Sequence, residues 1–308
     1  MAVPPVKALV ATLVLAASSG AHSQVPFEIE GPITDVNIGQ RSISVMGLVI
    51  RVPEAAPLAS PTARVNLEDL LGAPLPGRSE SGFLGGTAII SGTVQQDGTH
   101  EAADVFVEPA ENVLRGPLTG VSPLRLGRNS SGGGLELRPI SDPRMPAGPV
   151  MNEFGFAVKV DSLRPGTFAA AGAYYSRNED VLYYHTLEIQ GDSELATAGN
   201  QVSIQRAQCR VRGRGRDEIT VRGGVTNGTR TPIPAGTQVT LTLAQQVGTR
   251  TLAAPVTVAL DAPGFGTYNL RATNLTLPAA GCPVAITVSH RSGAATLSTS
   301  PEAEVSSR

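Results

Sequence analysis

The chain of 308 residues carries 24 Lys or Arg against 26 Asp or Glu, a formal net charge of −2, 4% aromatic residues and no tryptophan. So balanced a charge sets up no global field for nucleic acid or an anionic membrane, and any electrostatic binding must come from a local patch. With so few aromatics the interior must be built from Val, Leu, Ile and Ala, which suits several thin β-layers better than one large core, and the length admits two to three domains.

Residues 1–23 read as a secretory signal peptide. Lys7 precedes an apolar run over residues 8–17, and Ala21-His22-Ser23 has the spacing of a small-x-small cleavage site before Gln24. At ~1.5 Å per residue that run reaches only about half of a ~30 Å hydrocarbon core, and no later stretch is long and apolar enough to span a membrane. The expected location is secreted or periplasmic, free or associated with the cell surface.

Beyond the leader, helical periodicity gives way to short alternating runs bounded by Gly, Pro, Asn and Asp, the pattern of an all-β chain. Residues 24–111 form a first unit with strands expected at 29–37, 42–46, 48–52, 87–95 and 102–107. Met46-Gly47 and Gln96-Asp97-Gly98 supply turn chemistry, and a short helix or turn is expected over residues 67–70. Residues 112–194 repeat that unit. Gly31-Pro32-Ile33-Thr34-Asp35-Val36 returns as Gly116-Pro117-Leu118-Thr119-Gly120-Val121, Gly86-Thr87 returns as Gly166-Thr167, and residues 65–70 align with 158–163.

The copies diverge in three segments. The first carries an insertion over residues 71–83, and the second is longer through 128–134 and the proline-rich segment 139–149. Prolines cannot donate to a ladder, so those segments are loops or edge connections. Residues 195–297 form a third unit, with strands expected at 203–212, 218–225, 238–244, 256–260, 267–273 and 284–290 at the turn intervals of a sandwich. The Ser-rich residues 298–308 read as a disordered tail.

The Gly-Pro-Ile-Thr-x-Val opening, the hairpin over residues 43–52, Leu67-x-x-Leu70, Gly86-Thr87, Ser91-Gly92 and Ala102-Ala103-Asp104-Val105 resemble a family of secreted bacterial domains of unknown function. Those domains are small OB-like barrels, often in tandem in envelope proteins, and the resemblance covers residues 27–191. The third unit resembles a bacterial immunoglobulin-like module without the buried tryptophan of antibody domains. The resemblance implies two tandem OB-like small barrels followed by an immunoglobulin-like β-sandwich, and it implies no reaction.

Four groups of residues stand out as chemistry. Cys209 and Cys282 are the only cysteines. In an exported chain they read as a disulfide worth about 4 kcal/mol in chain-entropy models, with free thiols or a metal pair as the alternative. Arg206, Arg210, Arg212, Arg214 and Arg216 alternate along the sequence. On a continuous strand Arg210 to Arg216 would share one face at ~6.6 Å spacing and could grip phosphate, sulfate or carboxylate groups. Gly213 and Gly215 favour a turn instead, and Asp217 and Glu218 favour a solvated, partly neutralised surface.

Tyr174, Tyr175, Tyr183 and Tyr184 flank a turn over residues 176–180, which places two on each face of a hairpin. They are a candidate sugar-stacking or protein-binding surface, and one face would equally serve to fill a barrel. The insertion offers Arg78 and Phe83 as a candidate binding loop. His100, His185 and His290 fall in three units with no nucleophile motif, HExxH helix or CxxC pair, so no catalytic residue, metal or cofactor is expected. The expected function is noncatalytic: an interaction or structural protein of the bacterial envelope with a protein partner or self-assembly through β-edges. An oligosaccharide- or polyanion-binding module is the alternative, and a hydrolase stands third; neither nucleic-acid binding nor a membrane span is expected.

Overall fold

The computed structural model describes residues 25–307 apart from 111, 129–131, 192, 213, 228–230, 263, 279–281, 284–285, 293–294 and 300–305. The expected signal peptide therefore lies outside the described residues. Among the described residues nearly all regular structure is β, as the alternation requires, with two single-turn 3₁₀ helices, Glu68–Leu71 and Val160–Ser162, at the aligned positions of the two copies. No helix among the described residues is long and apolar enough to cross a membrane.

In the first copy, β1 (Val25–Asn37), β2 (Ser42–Val45), β3 (Leu48–Arg51), β4 (Leu58–Ala59), β5 (Thr87–Val94) and β6 (His100–Glu108) form one sheet. β1 pairs antiparallel with both β2 and β5, β2 pairs with β3, and β5 pairs with β6. β3 then lies parallel to β6 through Ile50↔His100 and Arg51↔Glu101, which closes a five-stranded barrel compatible with an OB-like fold. Met46 and Gly47 both take positive φ, 52° and 84°, the geometry of the tight turn expected between β2 and β3.

The second copy repeats the order with β7 (Asn112–Val121), β8 (Leu124–Leu126), β9 (Leu135–Pro139), β10 (Met151–Asn152), β11 (Phe168–Ser176) and β12 (Val181–Gln190). Its ring also closes through a parallel pairing, β9 with β12 from Glu136↔Val181 to Pro139↔Tyr184. The short β4 and β10 occupy matching places, each parallel to the last strand of its ring.

The doubled Gly-Pro motif marks the corner where a long first strand changes partner. β1 pairs with β5 through Pro32 and with β2 from Ile33 onward; β7 pairs with β11 through Pro117 and with β8 from Leu118 onward. Both strands shift register just beyond the motif, and proline, which has no N–H to lose, tolerates that break in the ladder. Ile33 N–H donates to Gly86 O and Leu118 N–H to Thr167 O, so the two matching halves of the repeat meet at one corner of each barrel. Ile33 and Leu118 are buried there and anchor the two cores.

In the third unit, β13 (Gln201–Val202), β14 (Arg206–Arg210), β15 (Asp217–Thr226), β16 (Gln238–Ala244), β17 (Thr249–Pro255), β18 (Thr257–Val258), β19 (Phe265–Leu275), β20 (Val288–Ser292), β21 (Ala295–Thr299) and β22 (Ser306–Ser307) form two sheets. One has the order β18-β19-β15-β14-β22 with β13 also on β15, the other β17-β16-β20-β21. Val221, Leu270 and Cys209 from one sheet and Val239, Leu241 and Val288 from the other share a single buried cluster, so the unit is a sandwich.

Several boundaries differ from the expected ones. The strand expected at 203–212 is cut to β14 because Ser203 is held by the second barrel and the chain turns after Arg210. β17 was not expected, and most of the strand placed at 256–260 is instead the loop after β18; Pro255 is tolerated because it ends an edge strand. β21 and β22 extend order into the stretch read as a disordered tail, of which residues 300–305 and 308 lie outside the described residues.

Candidate functional site

Two of the three segments that distinguish the repeats, residues 71–83 and 139–149, are spent on joining them. In the insertion, Leu75 and Phe83 are fully buried in the core of the first barrel, and Gly82 sits at φ 48° where a Cβ would collide with the Leu70 carbonyl. Arg78 ties the loop from inside. Its guanidinium donates to Gly82 O (3.3 Å) and Leu84 O (2.6 Å) and lies 3.6 Å from Glu80. Its side chain is 10% exposed, and burial lowers its pKa, opposed chiefly by Glu80.

The folded insertion meets the tyrosine hairpin of the second copy. Tyr174 Oη donates to Pro76 O and Ser176 Oγ to Gly77 O, both at 2.7 Å. Tyr174 and Tyr183, directly opposite in register, stack at 5.5 Å, and both rings belong to the core of the first barrel. Tyr183 Oη donates to Glu179, which also accepts from Arg138 at 2.7 Å. Burial raises the pKa of both phenols, so neither ionises near neutrality.

The proline-rich loop 139–149 makes the reciprocal contact. Ile140 and Met145 insert into the first barrel's core. Arg144 donates to Asp69 O and Ala73 O while paired with Asp142 at 2.6 Å, and Ser60 Oγ donates to Arg144 O. The bond from Arg144 holds the Asp142 carboxyl below the usual carboxylate range. Sequence reasoning missed Ile140, Asp142, Arg144 and Met145. The available signal was two large apolar residues bracketing a charged pair inside a segment otherwise read as solvated loop.

The hairpin does place two tyrosines on each face, but three are not surface groups. Tyr174, Tyr183 and Tyr184 are 2%, 8% and 5% exposed, Tyr184 filling the second barrel. Only Tyr175, 41% exposed with its hydroxyl donating to Asp180, remains available. Phe83 is likewise a core residue and Arg78 a buried tie, because a short loop of mixed polarity reaches a second apolar surface and folds onto it rather than into solvent. Beside this junction opens a cleft of about 260 Å³ lined by Arg78, Ser79, Glu80, Tyr175, Arg177 and Asn178.

The second barrel and the sandwich also touch. Ser203 Oγ donates to Phe154 O, Gln205 Nε2 to Glu153 O, and Phe154 stacks on Phe265 at 4.9 Å. Gly224 lies under Phe154, where a side chain would strike the backbone.

Cys209 and Cys282 form the expected disulfide, closing a separation of 73 residues. The arginine run is interrupted by a turn, as its glycines favour. Arg210 ends β14, and Arg212, Arg214 and Arg216 lie in the turn before β15, with Arg214 at φ 54°, so they share no continuous strand face. Asp217 caps that turn by accepting from the backbone N–H groups of Arg212 and Leu277. His290 is fully buried and His185 half-buried, and burial lowers both pKa values. No group of three His, Cys, Asp or Glu among the described residues is placed to hold a metal ion. Compared with known proteins, the chain matches no family model and no curated protein sequence.

Proposed function

We propose that this is a noncatalytic, secreted or periplasmic interaction protein of the bacterial envelope. Two tandem OB-like barrels act as one rigid body, and an immunoglobulin-like sandwich makes the contact with a second copy of the chain. The observation that carries the reading is where open strand edges remain. Each barrel ring is closed, which leaves it no long edge to offer, whereas among the described residues β17 is bonded on one side only, to β16. β17 runs for seven residues with Arg250 as its only charge, and that guanidinium turns away to donate to Thr273 O. Such an edge is a template for adding a strand, with affinity from backbone hydrogen bonds.

The disulfide within the sandwich is in keeping with export to an oxidising compartment. The test is native size by sedimentation and light scattering, for the mature chain and for Thr251→Lys/Ala253→Lys, two exposed positions of β17. The expected result is a dimer or larger for the parent and a monomer for the variant, because edge lysines block pairing. A parent chain that stays monomeric at high concentration, with nothing co-purifying from its source, overturns the reading.

A further inference from the structure

We propose that the outer face of β14, β15 and β19 is a binding surface for an anionic polysaccharide. On these strands Ala207, Cys209, Ile219, Val221, Leu270 and Ala272 turn inward to the sandwich core. The alternate residues form an outward grid in register: Arg206, Arg222 and Asn269 in one row, Gln208, Thr220 and Arg271 in the next, then Arg210 opposite Glu218. Arg206, Arg210, Arg222 and Arg271 are all exposed.

The charges on this grid do not balance. Glu218 is the one carboxylate among those outward positions, and it is shared: Arg271 donates to it at 2.8 Å, Arg212 approaches to 3.8 Å, and Arg210 adds to the field that lowers its pKa. Its side chain is only 12% exposed beneath them. Arg206 and Arg222 stand directly opposite each other on neighbouring strands, an arrangement that works against sheet stability. A chain of net charge −2 has thus gathered four arginines on one sheet face and kept a like-charge pair in one of its rows. Local rules of this kind are broken chiefly at functional or strained sites, and a bound anion would supply the partner missing here.

The geometry points to the class of ligand. Strands ~4.8 Å apart with outward residues roughly 7 Å apart along each give a lattice of guanidinium forks able to take sulfate or carboxylate groups bidentately. Gln208, Thr220 and Asn269 are interleaved with the arginines and can bond sugar hydroxyls. None of the outward grid residues is aromatic, so the face has no platform for stacking nucleic-acid bases, and none is apolar, so nothing on it would insert into a bilayer. The inference is independent of strand addition at β17.

The test uses heparin as the polyanionic probe, with binding measured across a salt series for the full mature chain, Arg206→Gln/Arg222→Gln, and Arg115→Gln as an exposed control on the second barrel. The parent is expected to bind with strong salt dependence and to bind uncharged dextran undetectably. The double variant should lose about tenfold in affinity and flatten the log–log salt slope by about 1.5, as expected for two lost contacts. It should melt no lower than the parent, since a like-charge pair has been removed, and Arg115→Gln should bind as the parent does. Equal heparin binding by parent and double variant overturns the proposal. So does tighter binding of the parent to a DNA duplex or to phosphatidylglycerol vesicles than to heparin.

Discussion

Replacing Met145 by alanine should destabilise both barrels together, although Met145 belongs to the second and lies in a loop. The side chain is fully buried within the cluster that also holds Ile33, Ile50, Leu70, Phe83 and Val107 of the first barrel. Truncating a buried methionine costs about 2–5 kcal/mol through lost transfer energy and the cavity left behind. The upper half of that range applies where the site cannot collapse, and Arg144, held by Asp142, Asp69 O and Ala73 O, pins the adjacent backbone in place. For a unit of this size the cost corresponds to a fall in Tm of roughly 7–20 °C. Hydrogen exchange read by mass spectrometry resolves the barrels separately through peptides from β5–β6 and β11–β12. Both sets should lose protection by the same free energy, while peptides of β15 and β16 in the sandwich keep theirs. Loss confined to one barrel, or two separated unfolding transitions in the parent chain, would refute a shared core as the joint between the repeats.

Two further outcomes follow from burial and covalent closure. His290 and His185 have pKa values lowered by desolvation from 6.5, so each binds a proton more readily unfolded than folded. Stability is therefore full above pH 6.5 and falls as pH drops below it, by up to about 1.4 kcal/mol per pH unit per histidine until the folded pKa is reached. Urea midpoints at pH 7.5 and 5.5 should diverge less in His290→Leu than in the parent, and an unchanged difference would remove His290 from the account. Reducing the disulfide, or replacing both cysteines by serine, should cost the sandwich about 4 kcal/mol and leave barrel exchange rates unaltered. A sandwich of unchanged stability would mean the reduced chain keeps the same compactness when unfolded.

What the sequence determined by itself was local and periodic. Alternation set the strands of the first barrel to within a few residues. Met46-Gly47 set a turn, and the doubled Gly-Pro-x-Thr set two units of one kind, because turn chemistry and period-two burial act over a handful of neighbours. The Cys209–Cys282 pair was legible because only two cysteines were present. What tertiary structure alone decided was which side of each polar-looking segment faces another part of the chain. Tyr174 and Met145 fall in a hairpin and a loop of the second copy, yet each finds its partner across the joint between the barrels, at separations such as the 98 positions between Tyr174 and Pro76, while Arg78 and Phe83 tie and fill the insertion within the first barrel. The arginines divide the same way. The glycines among Arg210 to Arg216 already favoured a turn over a ladder, but only strand register sets Arg206 against Arg222 and brings Arg271 to Glu218. A one-residue change of register turns a side chain to the opposite face, so the charge pattern of a sheet surface is settled by pairing between distant strands.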